Sequence, residues 1–145
     1  MTVSPQRDPD RTIASIYRAA SGAITWAEAL EAVVRDLDGL AAQMVAISRH
    51  NGAIVMSHAN ANVIPEAALD YVRVYHAHDP RIPLLVQGGV GEWIYCQDHF
   101  DDDFAASNPY YRDLLIPYGG RYSACVKLAE TPDESIMVEI GRAHV

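Results

Sequence analysis

The sequence concentrates groups capable of chemistry in a few places. His76-Ala77-His78-Asp79 places two imidazoles and a carboxylate within four residues. On a helix the two histidines diverge by about 200° and cannot share a metal unless the helix has already ended. As a last helical turn, they suit the negative end of the helix dipole. Asp98-His99-Phe100-Asp101-Asp102-Asp103 is richer in carboxylates. It lacks the alternating oxygen ligands, glycine turn and distal glutamate of a calcium loop, and reads as a solvated acidic segment. Gly88-Gly89-Val90-Gly91 matches neither phosphate-binding glycine pattern. Cys125 falls within a strand pattern and reads as a small core residue. Ser135 begins a strand and is not in a nucleophile elbow. No spacing pairs a nucleophile with a base, so the sequence implies no catalytic residues, no metal site and no cofactor.

The aromatic residues form a more specific pattern. Eight tyrosines accompany only two phenylalanines, and each buried tyrosine keeps a hydroxyl that needs a partner. Tyr71 and Tyr75 are one helical turn apart, with Asp79 one turn further on. Trp93 and Tyr95 alternate along a short strand, and Tyr110 and Tyr111 open a later helix. Together they would surround a space between helices and sheet, an apolar pocket with a few convergent polar groups of the kind that takes a small apolar or amphipathic molecule. The competing reading makes them ordinary core and rim aromatics.

These residues need elements to position them. Asp8-Pro9 opens a first helix, with Ile13, Ile16, Tyr17 and Ala20 on one stripe. Thr25-Trp26-Ala27-Glu28 carries a capping box, and Leu30, Val33, Val34, Leu37 and Leu40 follow at helical spacing. Residues 42–49 and 53–59 alternate as strands around Asn51-Gly52, which predicts a tight hairpin with both turn residues at positive φ. Pro65 starts a third helix to about Ala77, and Asp79-Pro80 ends it. Ile82 to Val86 reads as one more helical turn, Glu92 to Cys96 as a short strand, and Tyr110 to Pro117 as a fourth helix. A last hairpin joins Tyr122–Ala129 to Ser135–Gly141 through Thr131-Pro132-Asp133-Glu134. One of its faces carries Tyr122, Ala124, Val126, Leu128, Ile136, Val138 and Ile140. The other carries Ser123, Cys125, Lys127, Met137 and Glu139. Two hairpins and a lone strand among helices predict an α+β fold: a five-stranded antiparallel sheet with helices on both faces, the two N-terminal helices on one side.

The 145 residues correspond to one domain, expected over residues 11–145 after a polar leader over 1–10. Ten arginines and Lys127, scattered from Arg7 to Arg142, oppose nineteen acidic residues for a net charge of -8. That distribution argues against direct nucleic-acid contact. No apolar window reaches membrane-spanning length and the leader resembles no signal peptide, so a cytoplasmic protein without membrane contact is expected. Two cysteines, Cys96 and Cys125, lack metal or redox spacing and are expected as thiols.

Tyr71–Leu84 (YVRVYHAHDPRIPL), Trp93 and Asn108–Tyr122 (NPYYRDLLIPYGGRY) together resemble the N-terminal sensor region of LuxR-type transcriptional regulators. The similarity runs over roughly Arg11 to Arg142. It implies a PAS/GAF-like sheet preceded by two helices, and a regulatory homodimer that senses a small molecule and signals to a helix-turn-helix DNA-binding domain. No such domain is expected within this chain. In the branch that binds acyl-homoserine lactones, an Asp before Pro accepts a bond from the ligand amide and a Trp contacts the lactone. By resemblance these roles fall on Asp79 and Trp93. That branch's further Trp and Tyr fall on Glu66 and Asp70, counted back from Asp79, so the resemblance is to the broad family more than to that branch. The expected ligand-binding residues are Asp79, Tyr75, Trp93, Tyr71 and Tyr111. The alternative is a dimerisation or protein-interaction module without a ligand.

Overall fold

The computed structural model describes residues 6–142. Helices α1 (Pro9–Ala20) and α2 (Trp26–Leu37) lead into strands β1 (Ala41–Ser48) and β2 (Ile54–Ala59). Then come α3 (Pro65–Arg73), a 3-10 turn (Tyr75–His78), α4 (Arg81–Gln87) and β3 (Trp93–Tyr95). A second 3-10 turn (Cys96–Asp98), α5 (Asp102–Ser107), a π-helix (Tyr110–Leu115), β4 (Tyr122–Glu130) and β5 (Glu134–Arg142) complete the chain. The strands form one antiparallel sheet in the order β2-β1-β5-β4-β3. This is the expected α+β fold with helices on both faces. Of the leader expected over 1–10, residues 1–5 lie outside the described part, and Pro9 and Asp10 already belong to α1.

One face is closed by a single amphipathic helix. The capping box of α2 forms as its sequence requires: Glu28 N–H donates to Thr25 Oγ1 at 3.1 Å and Thr25 N–H to Glu28 Oε2 at 2.7 Å. Leu30 and Val34 then pack on Ala42 and Met44 of β1, with Trp26, Met56, Val138 and Ile140 around them. Burial of each large side chain contributes roughly 1.5–3 kcal/mol. Helix α1 packs on α2. Leu40, expected on the α2 stripe, lies past its end. Asp38 turns left-handed at φ 54° and Gly39 N–H bonds back to Val34 O at 2.9 Å, so the helix stops at Leu37.

Short, interrupted segments cover the other face. The third helix stops at Arg73 and not at Ala77, because the chain tightens into the 3-10 turn before Pro80. Residues 110–115 form a π-helix where a regular helix was expected, with Ile116 N–H bonding to Tyr111 O at 2.9 Å. Its wider turn brings the adjacent Tyr110 and Tyr111 inward together with Leu114, and Pro117 ends it. Gly119 turns the chain out of this helix at φ 89°, and a Cβ on Gly120 would stand 2.8 Å from Leu115 Cδ1, so the leucine side chain would have to shift. The first hairpin also departs from expectation. Ser48 and Ala53 pair across a four-residue loop, and only Gly52, not Asn51, has positive φ. Contacts to the other hairpin hold the loop open: Arg49 N–H donates to Asp133 O at 2.8 Å and His50 Nε2 lies 2.8 Å from Asp133 Oδ1.

Candidate functional site

The site forms where the interrupted layer crosses the sheet. The residue before a proline is driven from the helical region, and Asp79 is extended at φ -72°, ψ 107°. Its carboxylate is thereby turned into the interior, where only 4% of the residue is exposed. Four donors converge on it. Oδ1 accepts from the Arg81 backbone N–H at 3.0 Å and from Arg81 Nε at 2.8 Å. Oδ2 accepts from the Tyr71 hydroxyl at 2.8 Å and from Arg81 Nη2 at 2.7 Å. A carboxylate offers about four lone-pair sites, and all of those on Asp79 are used.

Arg81 is equally committed. Its Nη1 donates to Ser123 Oγ at 3.2 Å and pairs with Glu139, and its guanidinium carbon lies 4.4 Å from the centre of the Tyr110 ring. Burial works against its charge, but Asp79 and then Glu139 outweigh it and hold the guanidinium well above its ordinary range. Burial pushes the phenols of Tyr71 and Tyr110 up. The charge of Asp79 adds to the effect at Tyr71, so both remain neutral donors.

Beside this network lies a cavity of about 130 Å³ between β1 and β5 below and α3 and the π-helix above. Ile64, Ala67, Leu114 and Leu115 supply its apolar walls, while Gln43, Tyr71, Arg81 and Glu139 bring polar atoms to it. Gln43 and Glu139 are cross-strand partners and present their side chains side by side. Ser123 links the network to two thiols, with Oγ 2.8 Å from Cys96 Sγ and 3.8 Å from Cys125 Sγ. The Cys96 thiol is pulled down to about 7. The hydrogen bond from Cys125 is the largest cause, and burial opposes it less strongly than Cys125, Arg81 and Ser123 favour it. The same bond and burial push Cys125 up.

The structure unites some of the expected site residues and separates others. Tyr71 and Asp79 are bonded to each other, and Tyr71 lines the cavity. Tyr75 sits in the 3-10 turn and packs against the same core without lining the cavity. Tyr111 is completely buried behind Tyr110, their ring centres 5.1 Å apart, and its hydroxyl has no hydrogen-bond partner among the described residues. Trp93 lies on the opposite face of the sheet. Only Ile94 of β3 faces the tyrosine-lined core, while Trp93 and Tyr95 border a separate groove with Leu37 and Ile140. A single space ringed by all these aromatics is therefore not what the chain builds. Period-two alternation shows that Trp93 and Ile94 face opposite ways but not which of them faces Asp79.

Arg81, Glu139 and Gln43 were not among the expected site residues. A signal for Glu139 is present: a glutamate on the same face as Met137, in a strand otherwise patterned for burial. Of the histidine pair, His76 has its Nδ1 buried without a partner and His78 is exposed; among the described residues no three His, Cys, Asp or Glu side chains cluster as a metal would need. In the acidic segment, Asp101 caps α5 through Phe104 N–H at 2.8 Å and Asp102 pairs with Arg121 at 3.1 Å. No described helix is long and apolar enough to cross a membrane.

No family model and no curated protein matches this chain. Among solved structures, the crystal structure of the VqsR LBD domain from Pseudomonas aeruginosa shares its fold, with a TM-score of 0.64 at 12% identity. The match covers 94% of this chain and 80% of that one.

Proposed function

We propose that this chain is the sensing domain of a LuxR-type transcriptional regulator, binding a small, largely apolar molecule between sheet and helices. It would pass occupancy to a DNA-binding domain outside the chain, as a cytoplasmic homodimer. The observation that carries this reading is the cavity itself, mostly apolar, with Gln43, Tyr71, Arg81 and Glu139 among the polar side chains converging on it under a layer of broken helices. The fold shared with the VqsR LBD domain supports it. The mechanism is population shift: a ligand that prefers one packing of α3 and the π-helix biases the ensemble by its differential affinity. Thermal-shift screening against a metabolite library tests it. A ligand at a hundredfold excess over its Kd stabilises the fold by about 2.7 kcal/mol, and a library without any stabilising compound would count against sensing.

One observation favours a second reading, a dimerisation or protein-interaction module. Trp93 and Tyr95 are both nearly half exposed on the sheet face beyond α2, over a groove of about 390 Å³. Sedimentation equilibrium of the wild type and Trp93→Ser tests it. Self-association lost in the variant, with thermal-shift silence in both, favours the module.

A further inference from the structure

The groups left over at the cavity floor restrict what a ligand offers. Asp79 has no lone pair to spare, and the Tyr71 hydroxyl proton is spent on it. Ser123 is engaged by Arg81 and Cys96. Glu139 differs: Arg81 pairs with its Oε1, while its Oε2 accepts no hydrogen bond among the described residues, and its side chain keeps 25% exposure. Next to it Gln43 turns its amide nitrogen to Ser57 Oγ at 2.9 Å, which leaves the carbonyl oxygen as the free end of that side chain. The uncommitted oxygens on these two neighbouring strand positions are therefore acceptors, one of them charged, beside the second N–H of the Gln43 amide.

Charge points the same way. Arg81 is matched by the two oxygens of Asp79, so the carboxylate of Glu139 remains as one net negative charge in a partly desolvated wall. Apart from Arg81 and Glu139, the cavity lining is uncharged. An anion entering there would be buried beside a like charge with its only cation already paired, whereas a donor meets a charged acceptor and forms the stronger class of hydrogen bond.

From this geometry we infer that the cavity takes its ligand by a hydrogen-bond donor or ammonium head held on Glu139, with a single ring or short alkyl chain against Ile64, Leu114 and Leu115. Size sets the body of the ligand: 130 Å³ is close to the roughly 150 Å³ apolar cavity that admits a benzene-sized guest. The inference rests on the reading of this cavity as a ligand site.

Three probes that share one ring test it: benzylamine, benzyl alcohol and benzoate, titrated into the 15N-labelled chain while the amides of Gly120 and Gly141, both on the cavity wall, are followed. Benzylamine and benzyl alcohol are expected to move these amides, with benzoate at least about tenfold weaker than benzylamine. Glu139→Gln keeps an acceptor for Arg81 while removing the charge. It should weaken benzylamine about tenfold and leave benzyl alcohol within about threefold. Benzoate binding as tightly as benzylamine in the wild type, or an unchanged ratio of the two in E139Q, overturns the inference and leaves the cavity a ligand site. If none of the three moves those amides, benzyl alcohol included, the cavity reading itself falls.

Discussion

The two faces of the sheet are built from the same strands and are covered in different ways. On one face a continuous twelve-residue helix, capped at its start, lays Leu30 and Val34 onto Ala42 and Met44, and among the described residues no charge is buried there. On the other, α3, a 3-10 turn, α4 and a π-helix share the work, and α3 and α4 begin without a side-chain cap. Each break turns backbone and polar side chains toward the interior, where Asp79, Arg81 and Glu139 satisfy one another, and between the breaks a cavity remains. A regular helix packs to uniform density; an interrupted one gives up packing for places where polar atoms meet space. The polar face should therefore be fragile to loss of a single charge, and the apolar face only to loss of volume or of a helix end.

The largest expected effect tests that difference directly. Arg81→Met leaves a buried Asp79 and a part-buried Glu139 as carboxylates without their cation and should cost about 3–5 kcal/mol in urea unfolding. Replacing all three groups with apolar residues of similar size (Asp79→Leu, Arg81→Met, Glu139→Leu) should recover most of that loss, because such a swap is often neutral or stabilising. If R81M costs less than about 1 kcal/mol, the ion network does not hold this face together.

How much was legible in the sequence follows the same division. Thr25 to Glu28 and the stripe behind them act within a few residues, so α2 could be read directly, as could the strands of both hairpins. The insertion of β5 between β1 and β4 depends on partners such as Gln43 and Glu139, far apart in the chain, which no local pattern records. Asp79 was legible from its spacing behind Tyr71 and Tyr75 and from the family resemblance around Pro80. Its actual partner two residues on was not, since that contact needs the extended turn that the proline imposes. Glu139 remained hidden because an inward glutamate is explained only by a cation from another element. Which face Trp93 takes is not legible from its strand, because alternation fixes relative facing and not absolute.

A smaller effect comes from the thiols under the polar face. With Cys96 pulled down to about 7 from an ordinary value near 9, the folded state sheds this proton before the unfolded chain does. Stability contributed by Cys96 is therefore fully present above pH 9 and is lost as pH falls through 7, a change of about 3 kcal/mol across that window. Cys125, pushed up, works in the opposite sense above pH 9, where the unfolded chain ionises and the folded one holds its proton. Urea titrations under reducing conditions should show stability rising from pH 7 to 9 in the wild type and little rise in Cys96→Ser. Thiolate absorbance at 240 nm growing in near pH 7 in the wild type alone would place the ionisation on Cys96. A flat profile in both proteins would remove the thiols from the electrostatics of this face.

The smallest expected effect belongs to the apolar face and sharpens the contrast by being confined to it. Thr25→Ala removes the acceptor for Glu28 N–H and one half of the capping box, and a cap of this kind is worth about 1 kcal/mol. The cost falls on the start of α2, whose packing partners lie in the cluster around Leu30 and Val34; of these residues Ala42 alone also borders the cavity. Thermal unfolding should therefore shift down by about 3 °C, while benzyl alcohol moves the Gly120 and Gly141 amides at the same concentrations as in the wild type. Should the cap variant change that titration, α2 and the cavity layer would be coupled through the sheet, and the two faces would act as one cooperative unit in ligand binding.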